Sequence, residues 1–396
     1  MRYYGWSGSS DVGYNPTAEP FTDAYGALRV VARTPVLDLK STFPISQLRD
    51  TVTATSGGTA ANTADGELSL NVTATSGSSV YLQSTQRSAY QSGYGAECGM
   101  GVRLPPTFAP GCVARWGFYD ANNGFFWQWD NVNKLSAVIR RAGVDTAISQ
   151  ANFTTDKLDG TGPSEFVLDI SRGIIWKILY SWYGYGTINF VVTVSNAQAR
   201  QCIIPCHQTA MPWSTSVTSP HLPIRAELTN VSGTTAQSMF VAGRQFSIVG
   251  PFNPASRMTP LFSSGKTYGN TVTAVYALRR KATHLGINLN LKGFDLQITS
   301  TAYLQISIGS TVNGGTWTAP ANVQATESAL EVNTTFTSAT AGNLVYGALL
   351  KLETNTDITQ AVSLSETDIM LLTLTALSGN GAQTVTGLLV KIEEQW

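Results

Sequence analysis

Charge is what this chain has least of. Asp, Glu, Lys and Arg make up 13% of its 396 residues and cancel to a formal net charge of zero, about half the usual share of about 25%. Without a basic surface it has no electrostatic footprint for nucleic acid. Arg279-Arg280-Lys281, the one three-residue basic cluster, reads as a solvated strand end. Apolar runs are short, and none approaches the ~18 residues that membrane insertion needs. The opening "MRYYGWSGSSDVGYNPTAEPFTD" lacks the apolar stretch of a signal peptide, so cytoplasmic synthesis without export is expected. Four cysteines, Cys98, Cys112, Cys202 and Cys206, are too few for a disulfide framework at this length. Without secretion, the Asn-x-Ser/Thr triplets at Asn71, Asn152, Asn230 and Asn333 carry no expectation of glycosylation. Helical periodicity is missing too; "SQLRDTV" offers one turn at best.

What is present is alternation. In "IIWKILYSWYGYGTINFVVTV", Trp176, Ile178, Tyr180 and Trp182 share one parity, and Ile188, Phe190, Val192 and Val194 share another. Period-two alternation puts each set on one face of a sheet, and the glycines between them suit a hairpin turn. "VARWGFYDANNGFFWQWD" repeats the pattern, turning at Asp120 to Gly124, and "KLSAVIRRAGVDTAIS" turns at Ala142-Gly143. Two strands alone cannot stay folded in water, so their apolar faces must cover a second sheet. The fold class expected is all-β: a jelly-roll β-sandwich over residues 35–250, a Pro-rich linker at 251–260, and a smaller C-terminal β-sandwich over 261–396. In the last, "MLLTLTAL" is almost continuously apolar, as a strand covered on both faces is. Residues 1–34 read as an extended N-terminal arm that orders against a neighbouring subunit, or as a disordered leader.

Catalytic constellations are hard to find. His207, His221 and His284 are the only histidines, none near a nucleophile elbow. Asp156, Asp159, Glu165 and Asp169 could supply a glycosidase pair, but "DGTG" and "GP" around them are ordinary turn chemistry. Cys202-x-x-x-Cys206-His207 holds soft zinc ligands at loose spacing around Pro205, and buried thiols are the simpler reading. "DANNG" resembles the start of a calcium loop but lacks the later bidentate acid. No metal and no cofactor are expected. The aromatics are the remaining constellation. Trp116, Trp176 and Tyr180 face the core by parity, whereas Tyr183 and Tyr185 at the turn, with Trp127 and Trp129, are the candidates for ligand or subunit contact.

"GVRLPPTFAPGCVARWGFYDANNGFFWQWD", "LDGTGPSEFVLDISRGIIWKILYSWYGYGTINFVV", "LPIRAEL" and "VAGRQFSIVG" resemble virion proteins of tailed bacteriophages and related aquatic viruses over residues 30–250. The pattern "I-x-Y-x-W-Y-G-Y-G-x-I-x-F" is also similar to the paired central strands of concanavalin-like jelly rolls. The resemblance implies a structural protein displayed on a virus particle, in a tail fibre, baseplate or head-attached fibre. It further implies a homotrimer contacting other virion proteins through the arm, with host-surface carbohydrate as candidate ligand. A capsid decoration protein is the alternative. The expectation is of a protein that is not an enzyme, with a polysaccharide-degrading activity as the third reading.

Overall fold

The structure is a computed structural model that describes residues 33–195, 201–321, 323–364, 368–377 and 381–396. The expected arm lies outside the described residues up to residue 32. The fold is all-β, with helix confined to three single 3-10 turns among the described residues.

The first sandwich is a jelly roll of two antiparallel sheets. One runs Gln201–Gln208, Asn189–Ser195, Ile174–Tyr180, Gly95–Arg103, Gln237–Val249, Leu68–Val72, Thr59–Asn62, and Arg33–Leu39 also pairs with Gln237–Val249. The other runs Val144–Ser149, Lys134–Arg141, Gly124–Asp130, Cys112–Tyr119, Ile224–Asn230, Ser79–Ser84, Asp50–Thr55. The alternation seen in the sequence sets the register. Trp176 pairs with Val192 and Ile178 with Phe190, so both apolar sets face inward together. Val144 pairs with Arg141 across a tight turn in which Ala142 and Gly143 have φ of 51° and 81°. Positive φ at both central residues matches the twist of the flanking strands.

Aromatic side chains fill the space between these sheets. Trp116 and Trp127 each meet Trp176 edge-on at 5.0 Å, and Trp127 meets Phe190 at 5.1 Å. Such T-shaped contacts oppose the positive edge of one ring to the negative face of the next.

The second sandwich pairs Ser256–Ser263, Gln383–Gln395, Asn288–Ile298, Glu353–Ser363 in one sheet, with Lys266–Tyr268 on Gln383–Gln395. The facing sheet runs Leu330–Asn333, Thr273–Arg280, Ile369–Ala376, Ala302–Ile308, Asn343–Leu350. The strand inside "MLLTLTAL" is central there, and Met370 to Leu374 are all buried. The expected linker is shorter than its prolines suggest, because a strand begins at Ser256. Pro260 sits inside that strand opposite Lys391, on a sheet edge where its missing N–H breaks no ladder. Polar contacts join the sandwiches: Gln86 Nε2 donates to Ser363 Oγ at 2.5 Å, Asn343 Nδ2 to Gln47 Oε1 at 2.8 Å, and Asn288 Nδ2 to Arg87 O at 3.2 Å.

Candidate functional site

The strand Ile174–Tyr180 stops two residues before the sequence pattern does, which runs on to Trp182. Trp182 and Tyr183 adopt φ of 50° and 57°, a left-handed conformation costing a bulky residue about 1–2 kcal/mol. The kink takes Trp182 out of the core stripe and leaves it 43% exposed. Tyr183 is turned inward instead, edge-on to Tyr90 at 5.1 Å, and Tyr185 stands 55% exposed.

A second loop holds this turn in place. Ser216 N–H donates to Tyr183 O at 3.1 Å, and Ser216 Oγ donates to Gly184 O at 2.8 Å. Gly184 is obligatory: a Cβ there would stand 2.6 Å from Ser216 Cβ. On the near side, Ile188 N–H donates to Thr209 Oγ1 at 2.9 Å and Thr209 N–H to Ile188 O at 3.1 Å. Between those two anchors the second loop lifts Met211 and Trp213 into solvent, Trp213 completely. Trp182, Tyr185, Met211 and Trp213 are therefore offered at one end of the sandwich. Ser181, Thr187, Gln208, Ser214 and Thr215, all partly exposed, supply hydroxyl and amide groups beside them.

The other candidates from the sequence go elsewhere. Trp127 is wholly buried among Trp176, Phe153 and Phe190, so the expectation that it touches a ligand or subunit is corrected: its parity points inward. Trp129 packs half-buried against the same core. The acids serve turns. Asp156 is buried and accepts the N–H groups of Leu158 and Ser164, each at 2.8 Å. Asp159 accepts from Thr161 and Asp169 from Ser171, which holds both carboxyls below their usual range. In "DANNG", Asp120 Oδ1 accepts the N–H groups of Asn122 and Asn123 while Oδ2 meets Arg87 at 2.7 Å. It is a hairpin turn. Among the described residues no group of three or more His, Cys, Asp or Glu could hold a metal ion. Cys98, Cys112, Cys202 and Cys206 are all free thiols, and burial pushes the Cys98 and Cys206 thiols up.

A polar–aromatic layer on the outer face of the seven-stranded sheet has no signal in the local sequence pattern. Gly117 and Gly124 lie opposite Phe126 and Tyr119. A Cβ on either glycine would strike those residues at 2.7 and 2.2 Å, so the two aromatic residues pack over bare backbone. The Arg225 guanidinium lies 3.6 Å above the Tyr81 ring, and that of Arg140 lies 5.0 Å above Phe126. Glu227 takes Arg115 at 3.2 Å and Arg225 at 2.6 Å, and Asp145 takes Arg140 at 2.6 Å. Its ions are paired with one another, which suits a closed surface better than an open platform.

Two histidines belong to the sandwich rather than to a site. His221 Nδ1 accepts the Tyr90 N–H at 3.3 Å, and burial lowers its pKa, as it does for His207. A folded pKa below the unfolded value means stability that is full above about 6.5 and declines as pH falls toward the folded pKa. The urea midpoint of the first sandwich is therefore expected to fall as pH drops below about 6.5. His221→Gln should flatten that slope; equal slopes would remove His221 as a cause.

No known protein family matches the chain, and no curated protein does. Solved structures do. A glycosyl hydrolase family protein from Mycobacterium fortuitum is 11% identical, spanning 54% of this chain and 99% of its own, with a TM-score of 0.35. A β-1,3-glucanase from Mycobacterium marinum is 12% identical over 54% of this chain and 98% of its own, also at 0.35. The carbohydrate recognition domain of Emp47p is 12% identical over 50% and 89%, at 0.32. The expectation that this chain is not an enzyme is corrected on this point. Structures named as glycosyl hydrolase and β-1,3-glucanase stand among those it is similar to. A likeness at this level transfers no activity.

Proposed function

We propose that the chain binds carbohydrate at the aromatic end of its first sandwich, as a surface component of a virus particle. The carrying observation is Trp213, whose indole is fully exposed on a loop hydrogen-bonded to the turn that bears Trp182 and Tyr185. Leaving aromatic area in water forfeits about 25 cal/mol per Å², and clustered exposed apolar residues mark interaction sites. Uncharged ring faces flanked by hydroxyls and amides match a neutral sugar, which presents an apolar C–H face and an equatorial ring of hydroxyls. The particle half of the proposal is supported by the resemblance of residues 30–250 to virion proteins and by the scarcity of charge. Labelled particles distinguish a tail or fibre position from a decorated head.

Glycan arrays of neutral oligosaccharides, followed by titration calorimetry, test the binding half. Trp213→Ala is expected to weaken binding at least about tenfold, or about 1.4 kcal/mol, with the melting temperature unchanged. Equal affinity in the variant contradicts the platform. Chromatography of the recovered sugar separates binding from cleavage in the same samples.

A further inference from the structure

Sheet edges are templates for pairing, and folded chains protect them with charge, proline, shortness or bulges. Most edges here follow that rule. Arg33–Leu39 carries Arg33, Pro35 and Asp38, and Gln201–Gln208 carries Pro205. Val144–Ser149 carries Asp145, Asp50–Thr55 carries Asp50, Ser256–Ser263 carries Arg257 and Pro260, and Glu353–Ser363 carries Glu353 and Asp357. Thr59–Asn62 and Leu330–Asn333 are four residues long, too short to template much.

Of these protections Asn343–Leu350 has only a bulge, near its start. This edge strand has eight residues, Asn-Leu-Val-Tyr-Gly-Ala-Leu-Leu, with no charge and no proline. Its one ladder partner among the described residues is Ala302–Ile308. A bulge at Val345 bends the start and leaves Tyr346 to Leu350 in regular register. Val345, Tyr346 and Ala348 pack against the second core yet stay partly exposed, so that core is left incompletely covered at this edge. Leu344 and Leu349 are exposed at 54% and 73%.

We propose that Asn343–Leu350 pairs antiparallel with the same strand of a second copy of this chain, about a two-fold axis. A partner for this edge needs a strand that is itself long, uncharged and free of proline. Among the edges just compared, this strand alone meets that description. An antiparallel pairing about a two-fold axis is self-complementary, each copy donating and accepting equally. With no charge on either strand, two copies approach without repulsion. The added strand continues the cover over Val345, Tyr346 and Ala348. The pairing is independent of the carbohydrate proposal.

Sedimentation of the full chain across about a hundredfold range of concentration tests this. The wild type is expected to form a dimer. Leu344→Lys with Leu349→Lys is expected to raise the dissociation constant at least about tenfold, leaving circular dichroism unchanged and melting unchanged at concentrations where both proteins are monomeric. Val132→Lys, at an exposed position of the first sandwich, should have no effect. A wild type that stays monomeric, or an oligomer that the two lysines leave intact, overturns the proposal. If the lysine variant fails to fold, hydrogen exchange in the wild type decides. The amides of Asn343–Leu350 should exchange more slowly as concentration rises, and exchange independent of concentration overturns the pairing.

Discussion

Asp50→Ala is expected to destabilise the first sandwich by about 3–5 kcal/mol, the cost of removing one partner of a buried ion pair. Asp50 opens an edge strand of the seven-stranded sheet, and Arg244 lies in the eight-stranded one. Their side chains are 5% and 1% exposed, with Arg244 Nη2 at 2.7 Å from Asp50 Oδ1. Arg244 Nε and Nη1 are buried without a partner, so deleting the carboxylate strands the guanidinium entirely. The pair fastens one sheet to the other inside the sandwich. Urea unfolding measures the loss. Replacing both together, Asp50→Leu with Arg244→Met, should recover most of it, because no charge is then left unpaired. A loss below about 1 kcal/mol in the single variant would mean that water reaches Arg244.

Glu394→Ala is expected to do similar damage to the second sandwich, again about 3–5 kcal/mol. The Glu394 side chain is fully buried, at a position where Leu388, Val390 and Ile392 set the inward parity. Its oxygens accept from Thr259 Oγ1 at 2.5 Å, Ser328 Oγ at 3.0 Å and the Ala329 N–H at 2.8 Å, with Arg257 at 3.3 Å. One carboxylate thus ties the first strand of this sandwich, the last, and the segment leading into Leu330–Asn333. Alanine leaves those donors unmet, and each buried unmet donor costs about 1–3 kcal/mol. Glutamine keeps the acceptor oxygen and should lose less. Hydrogen exchange read over residues 256–396 should show the loss there, with the first sandwich unchanged. A uniform loss across both sandwiches would contradict their separate cores.

Local pattern carried the strands well. Hairpins turning at Ala142-Gly143 and at Asp120 to Gly124 were legible because alternation and turn chemistry agree within a few residues. What local pattern omits is the partner far along the chain. The parity run Trp176, Ile178, Tyr180, Trp182 continues unbroken in sequence, yet the strand ends at Tyr180 because Ser216 docks on the turn. That docking turns Tyr183 inward and Trp182 outward. Trp127, a candidate for ligand or subunit contact in "FFWQWD", has the parity that puts it beside Trp176 in the core. Trp213 had no signal beyond a large aromatic after proline in an unpatterned loop. The Asp50–Arg244 pair spans 194 residues, a separation that no spacing rule reaches.

The most direct test of the account is nuclear magnetic resonance of the indole N–H groups during titration with a neutral oligosaccharide. The account predicts that the signals of Trp182 and Trp213 move with the sugar while those of Trp116, Trp127 and Trp176 stay fixed. Binding that shifts the core indoles and leaves Trp213 still would contradict it.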